Sequence, residues 1–360
     1  MAADVTVFVG TYTGPATKGI YSFHFDSVTG KLSSASLVAE TVNPSFLAIH
    51  PNGKFLYAAN EAQSGRVSAF AIDAGKLIAK NSVSSGGADP CHVAVDRTGR
   101  WLFVANYSSG SVAVFPIRED GSLAEASARD QHAGSSVVPQ RQDGPHAHEA
   151  VLSPDNRFLL VTDLGLDQVF VYGFDASKGT LAQPHITKLK PGSGPRHMAF
   201  SPDGRFLYVL NELTATVDAF HWNSQHGTLE SAGESSMLPA DYAGAKSGAE
   251  IAIDPRGRFV YASNRGHDSI AIFRIHKGKL IPEGHTSTGG KNPRNFVLDP
   301  AGNFLLAANQ DSGSVVEFRL DKRTGALTPT GERIAIPSPV SLVFSAPRAS
   351  SAVSGRAPAD

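Results

Sequence analysis

Short apolar runs, alternating or continuous and each ended by a Pro, Gly, Asn or Asp turn, recur along the whole chain. One recurring unit is an apolar strand, a tight turn and a second apolar strand. It reads LAIHPNGKFLYAANE (47–61), VAVDRTGRWLFVANY (93–107), AVLSPDNRFLLVTDL (150–164), MAFSPDGRFLYVLNE (198–212), IAIDPRGRFVYASNR (251–265) and FVLDPAGNFLLAANQ (296–310). Pro-x-Gly turns between β-rich runs are hairpin signals. No stretch sustains the 3.6-residue period of an amphipathic helix. A second element, Gly-x-Leu, ends at Leu32, Leu77, Leu123, Leu181, Leu229, Leu280 and Leu327, at intervals of 45, 46, 58, 48, 51 and 47 residues.

A period near 45–50 residues with about four strands per unit is the signature of a propeller. The last copy is split: SLVFSAP (341–347) supplies a first strand, and VFVGTYT (7–13) with KGIYSFHFD (18–26) supplies its missing partners. The expectation is an all-β chain, a seven-bladed β-propeller of four-stranded blades, its ring closed by pairing of the N- and C-terminal segments so that no edge is left open. Residues 1–347 form that domain, and 348–360, rich in Ala, Ser and Pro, read as a disordered tail.

Composition narrows the partners. Lys plus Arg is 32 and Asp plus Glu is 33, with no block of one sign, so the basic stripe of a nucleic-acid binder is missing. One cysteine, Cys91, excludes an intramolecular disulfide framework or a zinc site built on several thiolates. MAADVTVFVG, without a basic segment followed by an apolar one, does not read as a secretory signal, and no run approaches the ~18 apolar residues that span a bilayer. The reading is a cytoplasmic protein without nucleic-acid or membrane partners. Because a closed ring needs no partner to cap it, a monomer or weak homo-oligomer is expected.

Chemistry is sought where the copies differ. Six positions before the first turn residue stand Ser45, Cys91, His148, Arg196, Ala249, Arg294 and Val340; ten positions after it stand Glu61, Tyr107, Leu164, Glu212, Arg265 and Gln310, with Tyr12 as N-terminal counterpart. Both ends of a hairpin far from its turn meet at the same mouth. If these strands are innermost, the variable residues ring a funnel that holds three arginines, a carboxylate and a histidine, a convergent site with a cationic bias suited to a small anion. The longest insertion, QHAGSSVVPQRQDGPHAHEA (131–150), adds His146 and His148, which would share a face on a regular strand. His146, His148 and Glu149 could in principle bind a metal, but His-x-His alone is a small ligand set and no third-strand carboxylate partner is identifiable. His92 and His197 read as hydrogen-bonded structural residues, and Cys91 as a small apolar filler.

At these residues the chain resembles the β-propeller lactonases, whose members include bacterial 6-phosphogluconolactonases, fungal carboxy-muconate lactonizing enzymes and lactonases of sugar diacids. The resemblance spans roughly residues 5–346 and rests on VFVGTYT, RQDGPHAH (141–148), GPRHMAFSPDGRFLYVLNE (194–212), ASNRGHDSI (262–270) and NPRNF (292–296). It implies a funnel site of His148, Glu212, Arg196 and Arg265, with Arg294, Arg141, His146 and Asn295 holding substrate, and neither metal nor cofactor. The implied reaction is hydrolysis of an anionic sugar lactone, foremost 6-phosphoglucono-δ-lactone to 6-phosphogluconate in the pentose phosphate pathway. In that scheme His148 is the general base or acid, Glu212 orients it or shares its proton, Arg196 stabilises the oxyanion, and Arg265 and Arg294 grip the anionic group. The alternatives are a sugar-diacid lactonase, a muconate-type cycloisomerase, or an interaction propeller; the last would show apolar face loops rather than a charged funnel. Serine-hydrolase, Walker A and dinucleotide signatures are absent from the sequence.

Overall fold

The computed structural model describes residues 4–345, so the tail assigned to 348–360 and residues 1–3 and 346–347 of the predicted domain lie outside the described residues. Among the described residues there are no helices and seven antiparallel sheets, each built outward from one inner strand. The inner strands are Pro44–Ile49, Pro90–Val95, Ala147–Leu152, Pro195–Phe200, Gly248–Ile253, Pro293–Leu298 and Pro339–Phe344, heading blades 1 to 7. Successive inner strands pack against one another around the ring. Blade 7 is the composite one: Pro339–Phe344 pairs with Asp4–Thr11, in register from Val7 opposite Phe344 to Thr11 opposite Pro339. In blade 3 the outer strand is in two pieces, Thr180–Leu181 and His185–Lys188.

The Gly-x-Leu repeat has a two-part cause. Each of its glycines takes a positive φ at the turn into the outer strand, and six of the seven face an aromatic ring that begins the second strand of the preceding blade. A Cβ on Gly278 would lie 2.0 Å from Phe206, and one on Gly179 the same distance from Trp101. Glycine is required there by both backbone and neighbour. The core is accordingly distributed as apolar clusters between blades, with the rings of Tyr57, Tyr208 and Tyr261 fully buried in second strands.

The inner strands share one irregularity. Each carries one residue more than its partner strand at the end far from the hairpin turn, a β-bulge at Ser45, Cys91, His148, Arg196, the Ala249–Glu250 pair, Arg294 and Val340. A bulge re-aims a side chain and locally ends pairing. The seven positions singled out by divergence are therefore the seven where the backbone departs from the ladder. The next residues form a second, buried ring that stitches neighbouring blades. His92 Nδ1 accepts from Ala150 N at 3.4 Å, Ser341 Oγ from Leu47 N at 3.1 Å, Asn295 Oδ1 from Leu342 N at 2.9 Å, and Glu149 Oε2 from Met198 N at 2.5 Å.

Two glycine replacements separate backbone from packing, because Gly75 and Gly278 share φ +82° while a Cβ at Gly75 meets nothing nearer than Thr6 at 3.5 Å. Gly75→Ala should cost about 1–2 kcal/mol in denaturant titration, and Gly278→Ala about 1–3 kcal/mol more. Equal costs would show that the aromatic contact contributes nothing.

Candidate active site

The funnel mouth holds a cavity of about 230 Å³ lined by Tyr12, Glu61, Cys91, Tyr107, Arg141, His148, Glu212, Arg265 and Arg294. Five of these are second-strand-end positions or their N-terminal counterpart, three are bulged inner-strand residues, and Arg141 arrives from the blade 3 insertion. That insertion is fastened by carboxylates. Asp163 accepts from His146 N at 2.8 Å and faces His132 Nδ1 at 2.6 Å, Asp167 accepts from Ser136 Oγ at 2.5 Å, and Gln142, fully buried, donates to Leu164 O at 2.8 Å. The loop thus holds Arg141 over the site.

Glu212 is the hub. Its Oε2 lies 2.7 Å from Arg265 and 3.1 Å from Arg196 Nε, and Oε1 takes Arg141 at 2.5 Å. Burial alone would raise this carboxyl, but Arg265, Arg196 and Arg141 together outweigh it and hold the group at about 2. Glu212 is therefore a fixed anion at neutral pH and has no proton to share. Arg196 lies a layer below the cavity, almost fully buried, its Nη1 donating to Ala249 O at 2.6 Å. Burial and repulsion from Arg265 and Arg294 bring its guanidinium down to about 10. Arg265 reaches Gly248 O at 3.1 Å. Arg294 differs from the other three: among the described residues it has no carboxylate within ion-pair distance, and it lies over the Tyr12 ring at 5.2 Å, whose hydroxyl donates to Glu61 at 2.9 Å.

His148 lines the cavity with Nδ1 sealed from solvent, so Nε2 is its working edge. Burial, then the charges of Arg196, His197, Arg294 and Arg265, push its pKa well below the ordinary histidine value, and the ring is neutral at pH 7. The expected shared face of His146 and His148 does not form: His146 precedes the strand and the bulge at His148 interrupts the alternation. His146 stacks on Tyr107 at 4.5 Å, with Nδ1 3.1 Å from Tyr107 O, while His148 meets that ring edge-on at 5.6 Å. Glu149 turns to Met198 N and lies 3.6 Å from His92. Asn295 sits outside the cavity, its carboxamide committed to Glu250 and Leu342 N. Tyr12, Glu61 and Tyr107, present in the divergent set but given no role by sequence reasoning, complete the wall.

A closed propeller whose funnel converges arginines, a fixed carboxylate and a neutral histidine is a small-molecule enzyme rather than a docking scaffold. Residues 6–344 match the family model of the seven-bladed β-propeller lactonases, and the chain belongs to that family of lactone-hydrolysing enzymes. A Bacillus subtilis (strain 168) 6-phosphogluconolactonase is 38% identical over 342 residues, covering 94% of this chain and 97% of that protein. A Formosa agariphila 6-phosphogluconolactonase is 38% identical over 301 residues, covering 80% and 84%. The solved structure of a Pseudomonas aeruginosa periplasmic gluconolactonase superposes with a TM-score of 0.89 at 34% identity, covering 95% and 99%. Among the described residues no helix is long and apolar enough to cross a membrane.

Replacing the hub gives a pH-dependent prediction. Glu212 sits below its unfolded value, so its contribution is complete above about 4.5 and fades as pH falls toward 2. Glu212→Gln should cost about 3–5 kcal/mol at pH 7 by chemical denaturation, since three buried or half-buried arginines lose their counter-charge, and the gap to wild type should narrow below pH 4. A gap independent of pH would contradict the clamp.

Proposed function

We propose that the protein is a sugar lactonase whose substrate is 6-phosphoglucono-δ-lactone, hydrolysed to 6-phosphogluconate. The observation that carries this reading is the charge balance of the site. Four arginines against Glu212 and Glu61 leave two positive charges in excess, and Arg294 is the guanidinium without a carboxylate partner. A phosphate monoester dianion matches both the surplus and the bidentate geometry of arginine. A lactone without phosphate leaves the surplus uncompensated. The phosphorylated substrate also favours a cytoplasmic location, because a dianion does not cross a bilayer unaided.

In this scheme His148 Nε2 takes a proton from water as its oxygen attacks the lactone carbonyl. Arg265 faces the developing oxyanion, and the ring C–O bond then breaks as the imidazolium returns the proton to the departing alkoxide. Arg196, sealed beneath Glu212, serves here by fixing that carboxylate and, through it, Arg265 and Arg141. Hydrogen bonds to a charged group are worth about 1.5–3 kcal/mol each. Wild type should therefore favour 6-phosphoglucono-δ-lactone over glucono-δ-lactone in kcat/KM by about 10²-fold, spontaneous opening subtracted, and Arg294→Ala should erase most of that preference while sparing the unphosphorylated lactone. Equal rates on both lactones would reject the phosphate reading, and acceleration of neither by folded protein would send the site to diacid lactones or muconates.

A further inference from the structure

Directly behind His148, in the second ring, lies a buried pair that the reaction scheme has not used. His197 Nδ1 is 3.0 Å from Glu250 Oε1. Glu250 Oε1 also accepts from Ile251 N at 3.0 Å, and Oε2 accepts from the Asn295 side-chain amide, whose orientation is fixed because Asn295 Oδ1 takes Leu342 N. With both carboxylate oxygens engaged by N–H donors, Glu250 is the acceptor and His197 carries its proton on Nδ1. The lone pair of His197 is then on Nε2, which is sealed from solvent and has no hydrogen-bond partner. His148 Nδ1 is sealed and unpartnered in the same way. The two rings are 5.1 Å apart at 70°. Two imidazoles joined by a linear N–H···N bond of about 2.9 Å have centroids roughly 5 Å apart, so the spacing of these two rings is the one such a bond requires.

We propose that Glu250 and His197 are positioning residues for His148, forming a chain in which His148 Nδ1–H donates to His197 Nε2 and His197 Nδ1–H donates to Glu250. This fixes the His148 tautomer that presents the Nε2 lone pair to the cavity. It also places a carboxylate at the far end of the chain when His148 takes its proton, against the opposing charges of Arg196, Arg265 and Arg294. The other groups facing the pair are Arg196 beside His197, His92 with its ring 5.7 Å away, and Glu149 across from Glu250. The inference rests on His148 being the proton acceptor proposed above, and its test reads the chain without turnover.

The experiment is imidazole nitrogen NMR of full-length protein labelled with 15N-histidine at pH 7.5, with the two rings assigned through His148→Gln and His197→Gln, alongside kinetics of Glu250→Gln on 6-phosphoglucono-δ-lactone. The expected result is the Nδ1–H tautomer at both rings of wild type. In Glu250→Gln the tautomers should mix, kcat should fall about 10–100-fold with KM little changed, and the acidic limb of kcat/KM should move to lower pH because the imidazolium loses its support. Glu250→Asp should recover part of the loss. A wild-type His148 protonated on Nε2 would overturn the proposal, as would a Glu250→Gln protein with reduced melting temperature but unaltered pH profile. If Glu250→Gln fails to fold, the wild-type tautomers decide alone. Lack of turnover with the expected tautomers present would count against the substrate, not the chain.

Discussion

Everything distinctive about this molecule depends on one extra residue at the head of each inner strand. In an unbroken ladder, His148, Arg196 and Arg294 would keep strict alternation with their neighbours and could not share the funnel as they do. The bulge separates two adjacent residues into two jobs. The first is turned to the mouth and is free to vary; the second is turned into the ring, where His92, Glu149, Asn295 and Ser341 accept backbone N–H groups from the next blade. Chemistry and ring closure are thus held one residue apart on the same strand. Of the nine cavity residues three sit on inner strands and five lie one residue past the end of a second strand, so only Arg141 is delivered by a long loop.

The second constraint is electrostatic. Packing four guanidinium groups around one small cavity is unfavourable unless a counter-charge sits among them, and Glu212 supplies it by touching three of the four. This arrangement removes Glu212 from proton chemistry and at the same time leaves Arg294 outside the ion-pair cluster. Burial, reinforced by the positive field of the surrounding arginines, keeps His148 neutral. A neutral base in a cationic pocket suits activation of water, and the arrival of an anionic substrate would partly relieve the field and strengthen that base.

Most of the architecture was legible in the sequence because the repeats are literal: the period, the hairpins and the split last copy dictate seven blades and the closure at residues 339–344 with 4–11. The candidate site was legible for a related reason, since departures from a repeat mark positions the scaffold does not need. That logic found His148, Glu212, Arg265 and Arg294. It missed depth. Nothing in the spacing distinguishes Arg196, one layer down, from Arg294 at the cavity, and an ion-pair hub among residues from blades 3, 4 and 5 is a tertiary fact. Alternation misled for His146 because a bulge leaves no mark in the sequence. His197 was read as structural, yet the polar run that follows the divergent positions, from His92 through Glu149, His197, Glu250 and Asn295 to Ser341, was a signal: polar residues inside otherwise apolar inner strands need partners.

The central claim is that the bulge-aimed funnel is the site of lactone hydrolysis, with His148 as its base. The most direct test is the rate of 6-phosphoglucono-δ-lactone opening by His148→Ala protein whose folding has been verified, against wild type and the spontaneous reaction. Loss of at least ~10²-fold in kcat, with the native fold retained, is the predicted result. Near-normal turnover by that variant would contradict the account, because the account gives the proton of the attacking water to that ring.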